Sequence, residues 1–193
     1  MTGVQTCALP IYAAQRFPTL ASGSIDILSR NTTWTISRDV NLMFEFAGVS
    51  YYDGQGFLVP ASLGITSARG LDGAFVCIAS ETTSELNLND YFAENNMAYR
   101  PIYVEGNKDA KAKLFAGECD VFTTDASGLA SARAGAENPD DWIVLPEIIS
   151  KEPLGPLVRQ GDQEWEDVVR WTLFAMINRS EERRVGKECR SRW

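Results

Sequence analysis

The chain has 193 residues, of which 45% are hydrophobic and 23% charged, so it can form one large folded domain or two small ones. Its net charge of −8, from 18 Lys and Arg against 26 Asp and Glu, argues against nucleic-acid binding. It contains no histidine, which excludes Ser-His-Asp and Cys-His catalysis and most zinc sites.

Both ends of the sequence differ in composition from the body. Residues 1–12 and 179–193 resemble translated sequencing-adaptor sequence and are predicted to be non-native, so the fold prediction covers residues 13–178. The body contains two cysteines, Cys77 and Cys119, which could remain free thiols or form a disulfide in an oxidising compartment. No segment approaches about 20 consecutive apolar residues, so we expect no membrane-spanning helix.

Polar residues follow the first predicted strand. A short or kinked helix over 13–22 leads to a buried strand over 25–28, and Arg38 lies in a predicted turn over 35–39. Hydroxyls, an amide and a guanidinium after a buried strand suit a carboxylate ligand, because arginine pairs with a carboxylate through two charge-assisted hydrogen bonds. The polar cluster between the strand and the turn consists of Ser29, Arg30, Asn31, Thr32 and Thr33.

The middle of the chain alternates strands and helices. A strand over 42–47 precedes a glycine-containing segment over 51–59, which is interpreted as the crossing from one lobe to another. Three strands then alternate with helices, and this order predicts a parallel sheet. The strands are predicted over 75–79, 99–104 and 119–123, and the helices over 84–95, 108–115 and 127–136.

Two of these strands also end in polar residues. Thr82 and Thr83 follow the first strand at a helix start, where free backbone N–H groups favour an anion, and Thr82 with Glu85 matches a capping box. Asp125 follows the third strand and can hold an ammonium group. A carboxylate and an ammonium on one carbon define an amino acid, so the strand ends together indicate such a ligand. Taken alone, a motif of this kind is more often a helix cap or a solvated turn than a ligand-binding site, and the three together are harder to attribute to capping.

The C-terminal part of the body returns to an apolar pattern. It contains a predicted strand over 143–149, a Pro- and Gly-containing segment over 154–159, and a helix over 163–178 that Asp162 can cap. The apolar face of this helix consists of Trp165, Val168, Val169, Leu173 and Met176.

Several long phrases of the sequence resemble the periplasmic amino-acid-binding proteins of ABC importers, in particular the general or polar L-amino-acid-binding subgroup. These phrases are SRNTTWT, YYDGQGF, CDVFTTDASGL, NPDDW, LPEIISKEPLGP and WTLFAMIN. The resemblance implies an α/β, two-lobed, type II periplasmic binding protein-like fold with an incomplete first lobe. Lobe 1 would comprise residues 13–56 and 153–178, without its N-terminal portion, and lobe 2 residues 57–152.

The same resemblance implies roles for individual residues. It places Glu81 where the family usually has glycine, which puts the neighbouring site in doubt, and it implies a 2-1-3 strand order and a disulfide between Cys77 and Cys119. The implied ligand-binding residues are Asn31, Thr33, Arg38, Thr82, Thr83 and Asp125.

The implied function is that of a monomeric periplasmic receptor without cofactor, metal or catalysis. It captures L-amino acids and delivers them to the membrane permease of an ABC importer. A cyclohexadienyl or arogenate dehydratase-like enzyme on the same scaffold is one alternative, although no evident general acid accompanies the carboxylate-binding residues. A ligand-sensing domain of a membrane signalling protein is the other, and it requires a membrane-spanning segment beyond Asn178.

Overall fold

The computed structural model describes residues 11–190, and side chains up to residue 179. The predicted non-native ends therefore lie almost entirely outside the described side chains. The chain folds into two compact units. The first comprises residues 11–18, Gly56–Thr124 and Gly128–Glu147, and the second comprises Thr19–Gln55, Asp125–Ser127 and residues 148–190. The predicted lobe boundaries stay a prediction.

A five-stranded sheet forms the centre of the first unit. In chain order its strands are β3 (Gln55–Pro60), β4 (Phe75–Ala79), β5 (Arg100–Val104), β6 (Val121–Asp125) and β7 (Trp142–Val144). They lie in the order β5-β4-β6-β3-β7, with β4 parallel to β5 and β6, and β3 antiparallel to β7. The predicted 2-1-3 order of the three parallel strands is confirmed. Helices connect them, as a parallel arrangement requires.

Three helices pack on this sheet through small and aliphatic side chains at helical spacing. Ala110 and Leu114 of α3, four residues apart, are buried, as are Leu129 and Ala132 of α4. The helices are α2 (Thr83–Glu94), α3 (Asn107–Phe115) and α4 (Ala126–Ala134), after a short α1 (Arg16–Ala21). The predicted disulfide between Cys77 and Cys119 is present in the same core, with Cα atoms 5.8 Å apart.

Helix α2 begins with a variant of the predicted capping box. The Thr82 hydroxyl accepts a hydrogen bond from the Glu85 N–H at 3.3 Å, as expected for an N-cap. The Glu85 carboxylate, however, accepts from the N–H of Glu81 at 3.0 Å instead of from Thr82. Glu81 has a left-handed backbone with φ of 57°, which is the conformation that favours glycine. This backbone geometry would suit the glycine that the family resemblance implies at position 81.

Two antiparallel strand pairs and a long helix form the second unit. Strand β1 (Phe44–Phe46) pairs with β9 (Leu157–Arg159), and β2 (Tyr51–Asp53) pairs with β8 (Glu152–Leu154). Helix α5 (Gln163–Arg190) follows Asp162, whose carboxylate accepts the Trp165 N–H at 2.9 Å, so the predicted cap is confirmed. Ala47, Val158 and Val169 form a small buried core with Trp165 against it.

Three predicted segments differ from the structure, and a fourth segment, for which no secondary structure was predicted, forms strands. The strand predicted over 25–28 is wrong, because only Leu28 has a strand partner, Leu157, and its neighbours lie outside any ladder. The predicted turn over 35–39 is a π-helical turn, Ser37–Asn41. Strand β7 ends before Pro146, since proline has no N–H to continue a ladder. The segment 154–159 contributes to two short strands, β8 and β9.

Helix α5 extends beyond its predicted end at residue 178 and continues to Arg190. Within the described residues, no helix combines the length and the apolar character that a membrane crossing requires.

Candidate functional site

The structure divides the six predicted ligand-binding residues between the two units. Asn31, Thr33, Arg38 and Asp125 belong to the second unit, although Asp125 lies more than 80 positions beyond the others in the chain. Thr82 and Thr83 belong to the first unit, at the N-terminus of α2.

Asp125 is held where β6 leaves the sheet. The next two residues are anchored by backbone hydrogen bonds, from Ala126 N–H to the Gly54 carbonyl at 2.7 Å and from Ser127 N–H to the Asp53 carboxylate at 3.3 Å. The Asp125 carboxylate then accepts a hydrogen bond from the Asn31 amide at 2.9 Å. Asn31 and Asp125, which follow two different predicted strands, are therefore in direct contact within the second unit.

A positive charge lies close to this carboxylate. Burial lowers the pKa of the Arg30 guanidinium, and the nearby Asp125 carboxylate opposes that effect. Arg30 belongs to the predicted polar cluster but not to the predicted ligand-binding set. Its position next to Asp125 became evident only from the fold, because an arginine in a polar loop carries no signal of its own.

Arg38 is buried within the π-helical turn that carries it. Its Nη1 atom donates to the Thr33 carbonyl at 2.7 Å, and only 7% of the residue is exposed. The turn is held by Trp34, whose indole N–H donates to the Asp39 carboxylate at 2.8 Å and whose ring stacks on Phe46 at 5.1 Å between centroids. Arg38 is thus a pre-positioned cation, as recognition of a carboxylate requires.

Glu152 is a buried carboxylate beside this cation that the sequence prediction does not include. Burial lowers the pKa of Arg38, and the charge of Glu152 opposes that effect. The hydroxyl groups of Thr33 and Ser150 both donate to the Glu152 carboxylate, the latter at 2.7 Å. The available signal was a single acidic residue inside the largely apolar segment IISKEPLGPLV.

The two threonines of the first unit lie at the start of α2, where the Thr82 hydroxyl is the N-cap. The Thr82 hydroxyl donates to the Ala79 carbonyl at 2.8 Å and accepts from the Glu85 N–H, so its single proton is already used. Thr83 is the first residue of α2, where backbone N–H groups lack partners within the helix. The ligand-binding roles of both threonines stay a prediction.

A groove of about 640 Å³ opens in the second unit. Ser29, Arg30 and Asn31 line it, so part of the polar cluster borders an apolar surface. All five residues predicted for the apolar face of the C-terminal helix line this groove, namely Trp165, Val168, Val169, Leu173 and Met176. Among the described residues, no group of His, Cys, Asp and Glu side chains is arranged to hold a metal ion.

Known proteins resemble this sequence along most of its length. It is 57% identical over 172 residues to the general L-amino acid-binding periplasmic protein AapJ of Rhizobium johnstonii, covering 89% of this chain and 50% of that protein. It is 53% identical over 169 residues to the glutamate/glutamine/aspartate/asparagine-binding protein BztA of Rhodobacter capsulatus, covering 88% and 50% respectively. The chain thus spans about half the length of these relatives. No family model matches the sequence.

Solved structures share the fold. A periplasmic binding protein of an ABC transporter from Brucella ovis, with glutathione bound, is 52% identical with a TM-score of 0.84, covering 90% of this chain and 55% of that one. An ancestral arginine-binding protein bound to arginine is 22% identical with a TM-score of 0.77, covering 93% and 78%, and this likeness concerns the fold alone. The predicted α/β, type II periplasmic binding protein-like fold class is confirmed.

Proposed function

We propose that this chain, which belongs to the periplasmic amino-acid-binding proteins of ABC transporters, is part of a receptor that captures L-amino acids and delivers them to a membrane permease. The chain spans 50% of the length of its relatives AapJ and BztA, so the proposal concerns the complete receptor. The names of these relatives describe binding of general L-amino acids and of glutamate, glutamine, aspartate and asparagine. A broad or polar specificity follows for the receptor proposed here.

The observation that carries the proposal is the meeting of Asn31 with Asp125 in the unit that also buries Arg38. A free amino acid presents a carboxylate and an ammonium group on one carbon. Arg38 would bind the carboxylate and Asp125 the ammonium, while the Asn31 amide orients the Asp125 carboxylate. Within the same unit, Thr33 would add a contact to the ligand, and the predicted roles of Thr82 and Thr83 in the first unit stay a prediction.

The energies of these contacts suffice for a receptor without covalent chemistry. Micromolar affinity corresponds to about −8 kcal/mol. Hydrogen bonds to charged groups contribute roughly 1.5–3 kcal/mol each, so a few such bonds together with burial of the ligand side chain reach that value.

The cellular setting follows from the same relatives. AapJ is named a periplasmic protein, and a disulfide such as Cys77–Cys119 persists in an oxidising compartment such as the periplasm. We therefore place the receptor in the periplasm, acting as a monomer that docks on the permease of its importer.

The dehydratase alternative is not favoured. The relatives at 53–57% identity are named as binding proteins. Proton transfer by a general acid would also require a titratable group next to the bound carboxylate, and Glu152, whose charge acts on Arg38, already accepts two hydrogen bonds.

The test is isothermal titration calorimetry on the full-length receptor that contains this chain. We expect saturable binding of L-glutamate, L-glutamine or another L-amino acid in the micromolar range, and no binding of the D-enantiomers, because the two charged contacts together with a contact to the ligand side chain define a handed site. Absence of binding by the whole set of L-amino acids would refute the proposal. Turnover of prephenate or arogenate would establish the enzymatic alternative instead.

A further inference from the structure

We infer that Glu152 is a positioning residue, which holds the guanidinium of Arg38 in the orientation that the ligand carboxylate requires. The inference rests on the proposed function, because it deepens the role assigned to Arg38. It concerns residues of the second unit alone.

The burial of Glu152 is the first argument. Only 2% of Glu152 is exposed, and its two carboxylate oxygens accept hydrogen bonds from different hydroxyl groups, those of Thr33 and Ser150. The Ser150 hydroxyl in turn accepts the backbone N–H of Gln55 at 3.1 Å, and Gln55 is fully buried. Such a network holds the carboxylate in one place.

The backbone around Glu152 is fixed on both sides. Strand β8, which begins at Glu152, pairs with β2 along one edge. Along the other edge, the Trp34 N–H donates to the Pro153 carbonyl at 2.8 Å, and the Gly155 N–H donates to the Thr32 carbonyl at 3.1 Å. This second set of bonds aligns the segment that carries Thr33 with the strand that carries Glu152. A β-bridge pairs Thr33 with Leu154, so backbone hydrogen bonds fix the position of Thr33 relative to the strand that carries Glu152.

The charge of Glu152 gives the second argument. A buried carboxylate is costly unless a cation lies nearby. Three charged residues of the second unit are buried among those described, and one of them, Glu166, forms an ion pair with Arg170. The remaining two are Glu152 and Arg38, and the charge of Glu152 acts on the pKa of Arg38.

Thr33 connects the two charges. Its hydroxyl donates to the Glu152 carboxylate, while its carbonyl accepts Nη1 of Arg38 at 2.7 Å. Thr33 thus links the Glu152 carboxylate to the Arg38 guanidinium through two hydrogen bonds. A guanidinium has five N–H donors in a fixed plane, so fixing one of them sets the orientation of the whole group.

The experiment is calorimetry on the full-length receptor with L-glutamine and with L-glutamine amide, which lacks the α-carboxylate. We expect Glu152→Gln to weaken L-glutamine binding by about tenfold, because Arg38 loses its restraint. In an Arg38→Ala background, Glu152→Gln should change the affinity for L-glutamine by less than about twofold. In the receptor that retains Arg38, Glu152→Gln should likewise change the affinity for L-glutamine amide by less than about twofold, because the amide lacks the carboxylate that Arg38 binds. A purely structural defect would weaken all of these interactions together.

Two further variants complete the test. Glu147→Gln is the matched control. Glu147 likewise accepts a hydrogen bond from a serine hydroxyl, that of Ser67 at 2.5 Å, but it lies in the first unit. Its substitution should leave the affinity for L-glutamine unchanged. Ser150→Ala removes one hydrogen bond to Glu152 without altering charge, and it should weaken L-glutamine binding by roughly threefold even if Glu152→Gln does not fold.

The outcomes separate the two proposals. If the unmodified receptor binds no amino acid, the proposed function fails. If it binds L-glutamine and Arg38→Ala weakens binding by about two orders of magnitude, but the Glu152 and Ser150 substitutions leave affinity unchanged or act equally in the Arg38→Ala background, the positioning role is overturned.

Discussion

The side-chain amide of Asn31 donates a hydrogen bond of 2.9 Å to the carboxylate of Asp125, although 94 residues separate them in the chain. The bond ties the end of β6 to the loop after Leu28. It fixes the position of one oxygen of the Asp125 carboxylate, the group proposed to bind the ligand ammonium.

Removal of the Asp125 charge should weaken amino-acid binding. In the full-length receptor, we expect Asp125→Ala and Arg38→Ala each to lower affinity by about two orders of magnitude, since either change leaves one ligand charge buried without its counterion. Calorimetry measures the effect. Asp140→Ala, which removes an exposed carboxylate of the first unit, is the matched control and should bind normally. Unchanged affinity in either site variant would contradict its assigned role.

Glycine at position 81 should stabilise the protein. Glu81 has φ of 57°, and a left-handed conformation costs a residue with a side chain about 1–2 kcal/mol. Part of this gain is offset by the greater freedom of glycine in the unfolded chain, so we expect Glu81→Gly to raise the free energy of unfolding by roughly 0.5–1 kcal/mol. Urea denaturation followed by circular dichroism measures it. Glu105→Gly, at another exposed glutamate but without positive φ, is the control and should not raise the free energy of unfolding. If Glu81→Gly and Glu105→Gly change it equally, backbone strain at Glu81 is not the cause.

Loss of the disulfide should destabilise the first unit. Cys77 and Cys119 close a loop of 42 residues. In the chain-entropy model, such a cross-link contributes about 4 kcal/mol by restricting the unfolded state. We expect Cys77→Ala/Cys119→Ala to lower the free energy of unfolding by roughly 2–4 kcal/mol, measured by urea denaturation. Dithiothreitol should destabilise the unmodified protein and leave the double variant unaffected, and a loss of the same size in both would exclude this bridge as the cause.

Glu147 should make stability depend on pH. Burial raises the pKa of the Glu147 carboxyl, but hydrogen bonds from the Ser67 hydroxyl and from backbone N–H groups, with the charge of Arg69, lower it below its usual range. A pKa that is lower in the folded state stabilises the protein above the unfolded pKa, and this contribution disappears as pH falls through the folded pKa. The stability difference between the unmodified protein and Glu147→Gln should therefore shrink from about pH 6 to about pH 3.

Denaturation curves at several pH values provide this measurement. Glu118→Gln, at an exposed glutamate, serves as the control for removal of a carboxylate from the same unit. If the difference in unfolding free energy between the unmodified protein and Glu147→Gln stays constant over this pH range, the Glu147 carboxylate is not preferentially ionised in the folded state.

The exposed apolar side of α5 should bind a hydrophobic dye. Trp171 is 67% exposed, Met176 66% and Val168 55%. Contiguous apolar surface of this kind is typical of a region that packs against something else or aggregates. The 193-residue chain should therefore enhance the fluorescence of anilinonaphthalene sulfonate, and Val168→Lys/Met176→Lys should reduce the signal. Leu86→Lys, an isolated exposed leucine of α2, is the control, and an equal reduction there would contradict the assignment to α5.

Local patterns predicted most of the first unit correctly. The alternation of apolar runs with helical segments defined β4 at its observed bounds and α2, β5, α3 and β6 to within two residues. These elements depend on short-range periodicity and on caps such as Thr82, which neighbouring residues determine. The strand predicted over 25–28 failed because pairing requires a partner strand, and Leu28 alone has one.

The sequence by itself determined the absence of histidine chemistry, the α/β order of the first unit, and the residue types that suit a zwitterion. An even pair of cysteines allowed either thiols or a disulfide, and the parallel pairing of β4 with β6 brought Cys77 and Cys119 together. Tertiary structure alone decided that Asn31 meets Asp125 and that Glu152 lies beside Arg38. The physical reason is that a contact between residues about 100 positions apart depends on how strands pair and cross, which local conformational preferences do not encode.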